Sequence, residues 1–255
     1  KMVRLPHPIL TNTQLDILCN IRYKGFNTVK LPMLFECSKG EDGLHESLDA
    51  LCKKAERSVD DGYNYIILSD RDVDENHAAI PSLLAVSAVH HYLISVGKRV
   101  QTALIVESGE IREVMHAALL LGYGASALCP YMTYAILDDL VKRGKIQENY
   151  PTAEANYIKA VKKGLLKIMA KMGISTIRSY RGAKIFESIG LSEALLKTSY
   201  ATPGTPKPSL HFSLPHALAI TLNTKSSRSL STRKKNLSSS ATSSISNKIR
   251  YQSTR

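Results

Sequence analysis

The sequence predicts an α/β fold of about four to five parallel strands, wound either as part of a (β/α) barrel or as an open doubly wound sheet. Two observations carry this expectation. Short apolar runs recur at Tyr65–Leu68, Ala103–Val106 and Ala125–Leu128, and the segments between them repeat apolar residues every three or four positions. Continuous apolar strands alternating with helices mark a parallel sheet covered on both faces. Polar residues follow directly on two of the runs, Ser69-Asp70-Arg71 and Glu107-Ser108. That is the sheet edge at which α/β proteins place their sites, in a barrel and in an open sheet alike. Periodicity does not separate the two windings.

In chain order, Pro6 and Pro8 break an entry segment, and Ile9–Ile21 predicts a short helix with Leu15, Leu18 and Ile21 inward. Phe26–Phe35 reads as a strand through Val29, Leu31 and Met33, with Pro32 marking a distortion or a sheet edge. Leu44, Leu48, Leu51, Ala55 and Val59 share one face of a helix, with Lys53, Lys54, Glu56 and Arg57 opposite and Gly62 at its end. Ala78–Val96 is apolar almost all round and predicts a buried helix stopped by Gly97. Ile111, Val114, Met115, Ala118 and Leu121 mark the next helix, and Thr133–Val141 another, closed by Gly144. A long helix follows between Glu154 and Gly173, and Ser175 is placed to cap a further helical stretch ending at Gly190.

Composition then divides the chain. With 44% hydrophobic residues and 22% charged, a core can form, and no run reaches the length of a membrane span. The N-terminus lacks the apolar stretch of a signal peptide. The net charge is +12, but residues 201–255 hold nine Lys or Arg and no acid, so that segment carries +9 of it. The same segment has 13 Ser and reads as a disordered basic tail that does not look like a natural domain end. Its aromatics are Phe212 and Tyr251 alone, too few for base stacking, so nucleic-acid binding is not expected. The expected division is an α/β domain over 1–150, a helical junction over 151–200, and the tail over 201–255.

Few constellations point to chemistry. Gly122-Tyr-Gly124-Ala-Ser-Ala127 matches a dinucleotide fingerprint, but it follows a helix and opens a strand, the reverse of the required context. It reads as a helix end and a tight turn. His90-His91 and His116 lack a metal-ligand spacing and read as packed histidines. Cys19, Cys37, Cys52 and Cys129 form no C-x-x-C pair and suit reduced thiols of a cytoplasmic protein. No catalytic, cofactor-binding or metal-ligating residue is assigned. The candidate site residues are Ser69, Asp70, Arg71, Glu107 and Ser108. Asp70 and Arg71 suit either pairing with each other or holding a polar guest, and Ser108 either a functional role or capping of a helix at Glu110.

Several longer runs resemble one family. Ile66-Ile-Leu-Ser-Asp-Arg71 with His77-Ala-Ala-Ile-Pro-Ser-Leu-Leu-Ala-Val-Ser-Ala-Val-His-His91 resembles the central domain of glutamate synthases. So do Leu104-Ile-Val-Glu-Ser-Gly-Glu110, Arg112-Glu-Val and Gly122-Tyr-Gly-Ala. A second block, Lys163–Ile177 with Ser179–Glu187, resembles the junction between that domain and the family's FMN barrel. The resemblance covers roughly residues 5–200. It implies a parent chain with a glutaminase, this central domain, an FMN barrel with an iron–sulfur cluster, and a β-helix. Such an enzyme moves glutamine-derived ammonia to 2-oxoglutarate and reduces the imine to glutamate. On this reading the chain is an incomplete piece that links the glutaminase and FMN sites and is inactive alone, binding neither FMN nor a cluster by itself. Its partners are the missing domains and a small electron-donor subunit or ferredoxin, with neither nucleic acid nor membrane. The alternative is a non-catalytic scaffold that docks separate glutaminase or flavin subunits. The five strand-end residues are candidates for the interface or the ammonia path.

Overall fold

The computed structural model describes residues 3–21 and 25–186. The expected tail over 201–255, and the end of the expected junction, lie outside them. Helix α1, Asn12–Cys19, opens with a capping box: Thr11 accepts from the Gln14 N–H while the Gln14 side chain accepts from the Thr11 N–H. Strand β1 is Thr28–Pro32, and β2, Leu34–Glu36, follows after Met33. Helix α2, Gly40–Asp60, buries Leu44, Leu48, Leu51, Ala55 and Val59 along one stripe. Gly62, at φ +86°, lets the chain leave it toward β3, Tyr65–Ser69. Strand β4, His77–Ala79, precedes α3, Ser82–Ser95, and β5 is Ala103–Glu107. The remaining elements are α4, Val114–Gly122; β6, Ala127–Cys129; α5, Tyr131–Lys142; α6, Tyr150–Lys171; and α7, Ile177–Tyr180.

The main sheet runs β1-β3-β5-β6, every neighbour parallel. Ile9 adds a parallel bridge to Leu128 on the far side of β6, with Leu10 N–H donating to Leu128 O and Leu128 N–H to Pro8 O, both at 2.7 Å. The four named strands follow chain order without the reversal that defines a doubly wound sheet, the Ile9 bridge standing next to the last of them. Of the two windings, this is the order of a barrel wall. Crossovers of one hand then put the connecting helices on one face, and α2 packs on α3, α3 on α4 and α4 on α6.

Register decides what each face carries. Leu31, Ile66, Leu68, Leu104, Val106 and Leu128 alternate onto one face. Lys30, Ile67, Ser69, Ile105, Glu107 and Cys129 alternate onto the other. Helix α1 lies over this second face: Thr28 donates to Leu18 O at 2.8 Å, and the Cys129 thiol reaches Asn12 Oδ1 at 3.5 Å. One apolar core joins both faces to the helices, with Ile158, Val161, Leu165 and Met169 of α6 in it.

Four expectations need correction. The strand expected over 26–35 is two strands, and Pro32 is the last residue of an edge strand, where its missing N–H leaves no gap. The helix expected from Ala78 starts at Ser82. Pro81 disfavours helical backbone at Ile80, and residues 77–79 pair with β2 instead. No helix starts at Glu110; α4 begins at Val114, capped by Glu113 and His116, and Ser108 instead accepts from the Glu110 N–H in a local turn. Thr176, not Ser175, caps the helix after α6, and that helix lasts one turn.

Candidate functional site

The ends of β3 and β5 bring all five predicted residues together. In-register pairing sets Ser69 beside Glu107, with both side chains on the α1-covered face. Asp70 and Ser108 come next along each strand and turn the opposite way. Two separate carboxylate clusters result.

Glu107 is 2% exposed and accepts three charged or polar donors. Ser69 Oγ donates to Oε2 at 2.6 Å, Arg71 Nε to Oε1 at 2.7 Å, and Lys30 Nζ lies 2.6 Å from Oε2. Burial alone would push its pKa up. The bonds from Lys30, Ser69 and Arg71 and the Lys30 charge outweigh burial, and the carboxyl titrates below its usual range. Lys30 and Arg71 keep side-chain exposures of 39% and 41%, so the cluster opens to solvent through its cations. Arg71 also lies 4.3 Å over the Tyr131 ring and donates to Asn12 Oδ1.

Asp70 is 4% exposed and accepts from Ser108 Oγ at 2.6 Å and the Gly109 N–H at 3.1 Å, and the Tyr131 side chain bears on it electrostatically. Here burial wins, and the Asp70 pKa is raised despite those bonds. Burial, then the Asp70 charge, raise the Tyr131 phenol as well. Glu110 accepts from the Ser82 N–H and hydroxyl, placing a carboxylate at the start of α3, where the helix dipole favours it.

Asp70 and Arg71 do not pair with each other. Arg71 turns to Glu107, because consecutive residues at a strand end point to opposite faces. Lys30, Asn12, Tyr131 and Cys129 also belong to the site and were not singled out from sequence. Lys30 had a signal: it alternates with Val29 and Leu31 on a strand that a doubly covered sheet buries on both sides. Tyr131 had none, since it reaches Asp70 only once β6 is laid beside β5.

The arrangement holds charge in place and is unsuited to nucleophilic attack. Both serine hydroxyls donate to carboxylates, and each carboxylate is engaged by further donors, so neither serine has a free base beside it. A flavin phosphate does not fit at these two strand ends either. It would meet Glu107 and Asp70, and Asp70 has taken the Gly109 N–H that a phosphate would use. Nor do the cysteines suit a cluster. Burial pushes the Cys52 and Cys129 thiols up to about 12, and among the described residues no three His, Cys, Asp or Glu side chains group for a metal.

The other sequence features are structural. Gly122 ends α4, and Gly124, at φ +124°, makes the turn into β6. His90 accepts from Arg99 Nε at 2.8 Å, and burial, with the nearby Arg99, lowers its pKa to about 3. His91 Nδ1 sits 2.8 Å from Ser87 O, and His116 caps α4. No helix among the described residues is long and apolar enough to cross a membrane.

Fold and site together define a barrel-type α/β domain whose strand ends carry two buried carboxylates, one of them paired with half-exposed cations. The family model for the glutamate synthase central domain matches residues 1–192, and the chain belongs to that family. It is 40% identical over 196 residues to the NADPH glutamate synthase large chain of Bacillus subtilis, covering 77% of this chain and 13% of that one. It is 38% identical over 204 residues to the NADH glutamate synthase of Schizosaccharomyces pombe, covering 78% and 10%. The chloroplastic ferredoxin-dependent glutamate synthase of Spinacia oleracea is 38% identical over 211 residues, covering 78% and 13%. The chain thus spans about a tenth of the length of these relatives. Among solved structures, a flavocytochrome b2 variant with benzoylformate aligns at a TM-score of 0.47 and 12% identity, over 78% of this chain and 46% of that one.

Proposed function

We propose that this chain is the connecting part of a glutamate synthase, which makes L-glutamate from glutamine-derived ammonia and 2-oxoglutarate in the cytoplasm. Residues 1–150 form the connecting domain, 151–200 lead toward the FMN barrel, and 201–255 form a tail. The glutaminase, the FMN barrel with its iron–sulfur cluster, the β-helix, and an electron-donor subunit or ferredoxin are its partners. The chain binds no FMN or cluster of its own and is inactive alone. The family match over residues 1–192 carries this reading. The strand ends support it: Glu107 and Asp70 fix the ends of β3 and β5 by accepting bonds from Ser69, Arg71 and Ser108, as a wall between two reaction sites requires.

Ser69, Asp70, Arg71, Glu107 and Ser108 are then the residues that face the neighbouring domains and keep ammonia from solvent. Asp70→Asn and Asp70→Lys in a parent-length enzyme carrying this segment test the role. Glutamine hydrolysed should exceed glutamate formed, most for the charge reversal. A one-to-one ratio in variants that melt like the unaltered enzyme removes the idea. The isolated chain, supplied with glutamine, 2-oxoglutarate and reduced FMN, should form no glutamate; measurable glutamate overturns its inactivity.

A further inference from the structure

At the opposite end of the sheet, where the strands begin, the entry segment, the end of α4, α6 and α7 line a half-open cavity of about 270 Å³. Leu121, Leu165 and Met169 give it apolar walls. At ~30 Å³ per water it has room for roughly nine waters, well beyond a packing defect.

Its polar groups are not satisfied from within. Tyr180 lines the cavity, is 1% exposed, and its hydroxyl has no hydrogen-bond partner among the described residues. The buried Nδ1 of His7, also in the wall, likewise has none among them. Lys162 lines the same space and forms no ion pair among the described residues. A buried hydroxyl left unpaired costs about 1–3 kcal/mol, so such groups are rarely left without a partner.

Lys162 puts a positive charge in the wall and among the described residues no Asp or Glu lines it, which favours an anion. Arg99 donates to His90 and to the carbonyls of Thr102 and Gly124, and Arg181 to Ser126 Oγ. Neither arginine lines the cavity, and neither meets a carboxylate among the described residues. Burial, then the Lys162 charge, hold His7 below its usual pKa against a weaker opposing bond at Ile9, which leaves a neutral imidazole to hydrogen-bond. One hydroxyl, one ammonium and one neutral imidazole suit a monoanion. A phosphate dianion would want an arginine fork or several backbone N–H groups.

We propose that this cavity binds a small aliphatic carboxylate, with its chain against Leu121, Leu165 and Met169 and its carboxylate bonded by Tyr180 and Lys162. The site is separate from the strand ends at Glu107 and stands apart from the connecting role.

Hexanoate and hexanol, titrated calorimetrically into the 255-residue chain, test it. Hexanoate should saturate one site, and hexanol should bind at least about tenfold more weakly. Tyr180→Phe and Lys162→Gln should each weaken hexanoate about tenfold or more. Without hexanoate, Tyr180→Phe should leave the melting temperature unchanged or higher, because it removes only an unpaired hydroxyl. Three results would overturn the proposal: no saturable hexanoate binding, equal affinity for hexanol, or a lower melting temperature of unliganded Tyr180→Phe.

Discussion

Glu107 shows how much hangs on one buried carboxylate. Its Oε atoms pair with both Lys30 and Arg71 and accept from the Ser69 hydroxyl. Glu107→Gln keeps the shape and leaves two cations facing a neutral amide. Breaking a buried pair from one side costs roughly 3–5 kcal/mol, and the half-exposed cations reduce this to about 2 kcal/mol. Urea unfolding at about pH 7 should show that loss. Because the folded pKa of Glu107 is lowered, its contribution is present above the unfolded carboxyl value and is lost as pH falls through the folded one. The gap between unaltered protein and Glu107→Gln should therefore narrow as the pH is lowered below the ordinary carboxyl range. Asp70 runs the other way: its raised pKa means that ionisation costs stability as pH rises through the folded value. The five candidate residues were legible because strand ends can be located from local pattern. Their partners were not, since Lys30 meets Glu107 only across the intervening strand β3.

Two glycines set how closely elements approach. A Cβ built on Gly164 of α6 would fall 2.5 Å from both Cγ atoms of Val114 on α4. Gly164→Ala should therefore cost roughly 1–3 kcal/mol. Adding Val114→Ala should recover most of it, and a double-mutant cycle by urea unfolding would show the coupling. Gly124 combines φ +124° with a Cβ position 2.4 Å from His90 Nδ1. Gly124→Ala should displace His90 from Arg99 and lower the melting temperature more than Gly144→Ala, where φ is +66° but nothing lies within 4 Å. Helices with strong apolar stripes, such as α2, were legible from sequence. The three-residue strand β4 was not: His77–Ala79 carries no alternation long enough to compete with the apolar run that follows, and only pairing with β2 makes it a strand.

For the whole chain, net charge is a poor guide to function. Most of the +12 lies in residues 201–255, so weak, salt-sensitive retention on heparin should disappear when those residues are deleted. Retention that survives the deletion would point to a basic surface on the folded part. The sequence by itself determined the alternation of strands and helices, the position of the polar strand ends and the family, because period-2 and period-3.6 patterns and long ordered runs are local properties. Tertiary structure alone decided the barrel-type winding, the pairing of Arg71 with Glu107 rather than Asp70, and the cavity at Tyr180. Each depends on how segments far apart in the chain are laid side by side, and backbone pairing and close packing set that only when the sheet and its helices assemble.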